Sequence, residues 1–121
     1  MTARILLVED DPPSRRLLRD LLTHRGHQIF EAATVDEARQ QIEAVRPHLI
    51  LLDVQIPGGG GEILLDHIRS REQSGRVPVL AVTALAGKQH EERLIRLGFD
   101  AYFSKPISTH TFGRAVESFL K

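Results

Sequence analysis

The sequence predicts an α/β fold: a doubly wound, five-stranded parallel sheet with five helices packed on its two faces. Three observations lead there. Short apolar runs alternate with segments of helical periodicity along the whole chain. Several of those runs, such as LILL at 49–52, are apolar without interruption, as strands buried on both faces are. Helix stop and start signals fall between the runs, and no linker, repeat or low-complexity tract divides the 121 residues, so one domain is expected.

The elements follow in order. RILLV (4–8) is an apolar run that ends in acids. SRRLLRDLLTHRG (14–26) sets Leu17, Leu18, Leu21 and Leu22 on one helical face, with Gly26 as a stop. HQIFEA (27–32) is a weaker strand. TVDEARQQIEAV (34–45) opens on Thr34 and Glu37 at capping-box spacing and turns Ala38, Ile42 and Val45 inward, and Pro47 blocks continuation. HLILLD (48–53) is the third strand, and EILLDHIRSR (62–71) a third helix stopping near Gly75. VPVLAVT (77–83) is a fourth strand, KQHEERLIRLG (88–98) a fourth helix ending at Gly98, and AYFS (101–104) a short fifth strand. STHTFGRAVESFLK (108–121) closes the pattern with Phe112, Ala115, Val116 and Phe119 on one stripe.

Composition narrows the function classes. Lys plus Arg and Asp plus Glu each total 16, so the formal net charge is zero and nothing argues for a nucleic-acid surface. Cysteine is absent, which excludes disulfides and thiolate metal sites and fits a reducing compartment. MTARILLVEDD is too short and too acidic for a signal peptide, and no apolar run reaches membrane-spanning length, so a cytoplasmic domain that engages no membrane is expected.

In an open parallel α/β sheet, ligands bind beyond the carboxyl ends of the strands, where the strand order reverses. The first strand is followed by Glu9, Asp10 and Asp11; the third ends in Asp53, the fourth in Thr83; Lys105 and Pro106 follow the fifth. In the order 2-1-3-4-5 the first and third strands are neighbours at the reversal, which brings Glu9 and Asp10 beside Asp53. Clustered carboxylates repel one another, and a hard divalent cation relieves the repulsion. Mg²⁺ prefers one or two carboxylates, waters and a phosphate oxygen. The acids therefore point to a Mg²⁺ site for phosphoryl chemistry, with Lys105 and Thr83 suited to phosphate oxygens. A carboxylate can itself be the nucleophile, and Asp53, alone at the end of a central strand, is the best-placed candidate.

These motifs carry a family resemblance. ILLVEDD, LILLDVQIPGGGG, VLAVTALA and AYFSKPI, in that order and spacing, resemble the receiver domain, the phosphoacceptor module of two-component response regulators. The likeness covers essentially the whole chain, and VTALAGKQHEER and SKPIS look like stand-alone DivK-type receivers and equally like receivers of hybrid kinases. The resemblance implies a flavodoxin-like fold and a signalling domain rather than an enzyme. It implies a phosphoryl group accepted on Asp53 from a histidine kinase or histidine phosphotransfer protein, and a downstream protein partner. It implies Asp10 as a direct Mg²⁺ ligand, Glu9 as its acidic neighbour, and Gln55 as the position offering a backbone carbonyl. Thr83 matches the switch hydroxyl, Lys105 the phosphate-binding lysine, Tyr102 the aromatic switch of the surface formed by the fourth helix, fifth strand and fifth helix. The Lys105–Pro106 bond would be cis. Gln55 and Leu85, two residues beyond Asp53 and Thr83, match positions lying over the approach of hydrolytic water.

Other readings stand beside these. Asp11, before Pro12 and Pro13, reads as the cap of the first helix rather than a ligand. A metal-dependent phosphatase would carry a second acid where Gln55 stands. A receiver used only as a binding module would not need the full set of acids, Thr83 and Lys105. Pro57 and Gly61 fit the receiver pattern; Gly58, Gly59 and Gly60 depart from it, which reads either as close approach beside the phosphosite or as ordinary turn permissiveness. Glu62 after Gly61 argues against a nucleotide loop. The histidines, His90 included, read as solvated or structural, with no pair at convincing metal spacing.

Overall fold

The computed structural model describes residues 2–56, 60–70, 76–84 and 87–120. Pro57, Gly58 and Gly59, the helix stop near Gly75, and Leu85 lie outside the described residues. The elements run β1 (Arg4–Val8), α1 (Pro12–His24), β2 (Gln28–Ala32), α2 (Val35–Val45), β3 (Leu49–Asp53), α3 (Gly60–Ser70), β4 (Val79–Thr83), α4 (Lys88–Leu97), β5 (Ala101–Ser104) and α5 (Phe112–Glu117). All strand pairs are parallel, in the order β2-β1-β3-β4-β5. This is the expected doubly wound, flavodoxin-like arrangement.

Period-two alternation divides the strands between two apolar layers. Leu6, Val8, Ile50, Leu52, Val79 and Ala81 face α2, α3 and α4 through Val35, Ala38, Leu64, Leu65, Ile68 and Leu94. Ile5, Leu7, Leu49, Leu51, Leu80 and Val82 face α1 and α5 through Leu18, Leu22, Phe112 and Val116. β3 and β4 are buried along their whole length, which is why they read as unbroken apolar runs.

Local chemistry sets the boundaries. α1 begins at Pro12 because the Asp11 side chain accepts from the Ser14 amide at 3.1 Å and proline occupies the first helical positions. At α2, Thr34 Oγ1 accepts from the Glu37 amide at 3.1 Å, while Glu37 Oε1 reaches the Ala33 amide at 2.7 Å, one residue before the cap. Three expectations are revised. Leu18 and Leu22 are buried, but Leu17 is 41% exposed, because the helical stripe that meets the sheet is narrower than the leucine cluster. Ile42 and Val45 are only partly buried. α5 spans Phe112–Glu117 alone: Thr111 gives it no side-chain cap bond, and it closes in tight bonds from Phe119 N to Val116 O and from Leu120 N to Glu117 O.

At the end of the sheet away from the strands' carboxyl ends, Arg25 crosses from the end of α1 onto α5. It meets Glu117 with two bonds, at 2.8 and 2.6 Å. Gly113 leaves the space for this: a Cβ there would collide with the Arg25 side chain. Buried His27 joins the same carboxylate at 2.9 Å through Nε2, and its Nδ1 accepts from the Ala3 amide at 3.1 Å. Glu117 is thereby held at about 2, by Arg25 first and His27 second.

Candidate functional site

The carboxyl ends of β1, β3 and β4 and the start of the β5–α5 connection converge on one pocket of charge. β1 is the strand next to β3, so Glu9, just past Val8, lies beside Asp53, the last residue of β3. The Glu9 amide donates to Ala32 O at 2.9 Å, which carries the β1–β2 ladder one residue further. Glu9 is 1% exposed and Asp53 5%, although among the described residues neither has a protein charge of its own to neutralise it. They share one: Lys105 Nζ lies 2.5 Å from Glu9 Oε1 and 3.1 Å from Asp53 Oδ2. Lys105 is placed by a bond from its amide to Thr83 O at 2.9 Å, and its peptide bond to Pro106 is cis. The second oxygen of each acid takes a backbone amide: Gln55 N to Asp53 Oδ1 at 2.9 Å, and Asp11 N to Glu9 Oε2 at 3.1 Å.

One ammonium against this many acids leaves the pocket electronegative. Burial pushes the Glu9 carboxyl up to about 7; Lys105 pulls against that, and neighbouring Asp53 adds to it. Burial alone would lower the pKa of Lys105, but its bonds to Glu9 and Asp53 outweigh that and raise it. Asp10 is exposed at the mouth, and Glu9, Asp10 and Asp53 each bring a carboxylate oxygen within 4.8 Å of the others'. These are hard oxygen donors with uncompensated negative charge, a donor set that suits Mg²⁺. Gln55 is exposed, with its amide turned to Asp53. Thr83 ends β4, fully buried, opposite Ser104 of β5. Tyr102 is half-buried in β5 and packs on the layer shared with α2, α3 and α4. Thus Glu9, Asp10 and Asp53 are brought together at the ends of the neighbouring strands β1 and β3, Lys105 reaches them from the end of β5, Thr83 ends β4 between, and Tyr102 lies two residues inside β5's end.

Two features escape the sequence. Gly61, in the first turn of α3, donates its amide to Val54 O at 3.0 Å. A Cβ there would stand 2.7 Å from Val54 Cα, so for Gly61 close approach to the site strand is the reason for glycine. Gly60 meets a different demand, a left-handed φ of 81°. The second is Arg15, whose Nη1 donates to Glu9 O at 3.1 Å. Its position four residues after Asp11 is visible in the sequence; its partner Glu31, on another strand, is not.

Known proteins share this architecture. The family model described as the response regulator receiver domain matches residues 5–117. The polar-differentiation response regulator DivK of Brucella ovis is 36% identical over 120 residues, covering 99% of this chain and 98% of its own. The receiver domain of a Pseudomonas aeruginosa sensor histidine kinase, which carries a magnesium ion coordinated in its active site cleft, superposes with a TM-score of 0.88 at 28% identity, over 99% of this chain and 98% of that one. A LuxR-family two-component response regulator from Aurantimonas superposes with a TM-score of 0.88 at 30% identity, over 99% and 86% of the two chains.

Proposed function

The chain belongs to the response regulator receiver domain family, and on that premise we propose that it takes a phosphoryl group from a partner's phosphohistidine onto Asp53. The observation that carries the reading is the shared ammonium: Lys105 bridges buried Glu9 and Asp53, with Asp10 at the mouth. In the reaction an Asp53 carboxylate oxygen bonds to phosphorus, the phosphorus–nitrogen bond breaks, and the imidazole leaves with the electron pair. Catalysis of such transfers is largely positioning and charge stabilisation. Glu9, Asp10, Asp53 and the Gln55 carbonyl are the groups that would hold Mg²⁺, which when bound supplies positive charge to the transferring phosphoryl oxygens.

The chain's own groups do the rest. Lys105 exchanges carboxylate for phosphate oxygens, and the Thr83 hydroxyl donates to another. A phosphate adds a charge of roughly −2, which favours the arrangement in which Thr83 and Lys105 both face it. Thr83 moving inward vacates space that Tyr102 fills, and the surface of α4, β5 and α5 repacks, a shift between two populations that a downstream protein reads. The 121 residues act as one receiver domain in the cytoplasm, a signalling domain rather than a turnover enzyme, engaging a histidine kinase or phosphotransfer protein and neither nucleic acid nor membrane. Among the described residues no helix is long and apolar enough to cross a membrane.

The test is direct. Wild type and Asp53→Asn are incubated with acetyl phosphate and Mg²⁺ and weighed by mass spectrometry. Wild type gains one phosphoryl adduct and the variant none; an equal adduct on the variant removes Asp53 as acceptor.

A further inference from the structure

We infer that Arg15 is a positioning residue for the acidic pocket, holding the peptide that joins Glu9 to Asp10. The inference rests on the proposed Mg²⁺-assisted reading of the site. Asp10 is the exposed member of the acid cluster, and burial does nothing to orient it. Its backbone neighbours are fixed on every side. The Glu9 amide is bound to Ala32 O at 2.9 Å, the Asp11 amide to Glu9 Oε2 at 3.1 Å, and Asp11 O takes the Arg15 amide at 2.9 Å. Glu9 O belongs to the same peptide plane as the Asp10 amide, and it is the Arg15 guanidinium, at 3.1 Å, that holds it. Fixing that plane sets the direction in which Asp10 leaves the backbone.

The guanidinium is itself held. Arg15 Nε lies 3.2 Å from Glu31 Oε1 on β2, and Arg19 Nη1 steadies the other oxygen at 3.5 Å. Glu31 pairs with Leu7 of β1, so the anchor belongs to the strand adjoining the one that carries Glu9. The fork of Arg15 thus spans a carboxylate and a carbonyl, which a lysine's point charge does not reproduce. Glu31 also offsets the Arg15 charge, so the brace operates beside the acids without opposing a cation electrostatically.

Charge and positioning make opposite forecasts. If Arg15 acted only as a positive charge near the pocket, Arg15→Gln would tighten Mg²⁺ binding and Arg15→Lys would leave it unchanged. If it positions, both variants weaken it, by about tenfold, the scale on which supporting contacts tune metal sites. Backbone amide resonances of Asp10, Asp11 and Gln55 are followed by NMR during titration of wild type, Arg15→Gln and Arg15→Lys with Mg²⁺ alone. The metal-free spectra give a second readout: the Asp10 amide, whose peptide carbonyl loses its donor, shifts in both variants while amides of β3 and β4 do not. Weakened binding and a displaced Asp10 amide in both variants support the brace. Wild-type affinity in Arg15→Lys, or tighter binding in Arg15→Gln, overturns it while leaving the receiver reading intact. A wild type whose Asp10 and Gln55 amides ignore Mg²⁺ overturns the reading and the brace with it.

Discussion

Replacing Gly61 with alanine tests how closely α3 is seated on the strand that carries Asp53. The added Cβ would lie 2.7 Å from Val54 Cα and 3.3 Å from Asp53 O. Carbon atoms in contact rest roughly 3.5–4.0 Å apart, so the shortfall against Val54 is about 1 Å. Both neighbours are backbone at the end of a fully buried strand, and no rotamer change relieves the contact. Overpacking of this kind costs about 1–3 kcal/mol. Alanine returns up to about 1 kcal/mol of helix propensity, less so in a first turn. A net loss of about 1–2 kcal/mol follows, most of it felt where α3 meets β3. A domain of this size unfolds with an entropy near ~0.25 kcal/mol/K, so the midpoint falls by about 4–8 °C. Thermal melts of wild type and Gly61→Ala by far-ultraviolet circular dichroism, both without metal, measure it. An unchanged or raised midpoint would refute the close-approach explanation and return Gly61 to ordinary turn permissiveness.

Two further outcomes are expected. Glu117 is held at about 2 against an ordinary value of 4.5; a depressed acid contributes its full stability above the unfolded value and loses it as pH falls toward the folded one. The stability gap between wild type and Glu117→Gln, read from urea midpoints, should therefore be wide near neutrality and close between about pH 4.5 and 2, and a gap of constant width would contradict the clasp. Leu85, two residues beyond Thr83, brings no group to orient an attacking water, so purified phosphoprotein should decay faster as Leu85→Glu or Leu85→Gln; equal or slower decay in both removes Leu85 from the explanation.

The strand ends were legible because β3 and β4 are buried on both faces and an acid closing such a run is out of place there, whereas Thr83, a residue type common in strands, gained meaning only beside Asp53 and Lys105. Asp11 as a cap was equally open to reading, since prolines at the following positions leave few alternatives. What stayed hidden depends on pairing between elements. The brace from Arg15 needs Glu31, which only the β1–β2 register brings near. Four leucines on one face of α1 do not say which of them the sheet reaches, and Leu17 is left outside. Successive glycines look alike in sequence, yet Gly60 answers to a dihedral angle and Gly61 to a steric contact. The length of α5 depended on Thr111 lacking a cap bond, which composition does not reveal.

The clasp of Arg25 and His27 on Glu117 also bears on the order of events at the ribosome. Its partners stand 92 and 90 residues apart, so the first helix emerges long before the carboxylate that secures it. The layer formed by α2, α3 and α4 is complete once residue 102 has been made, whereas the layer under α1 still lacks Phe112 and Val116. A nascent chain halted between those points would display Leu80 and Val82 to the surroundings, a half-roofed sheet of the kind chaperones retain. Synthesis of α5 then does two things at once: it covers the second face and ties down the end of the first helix.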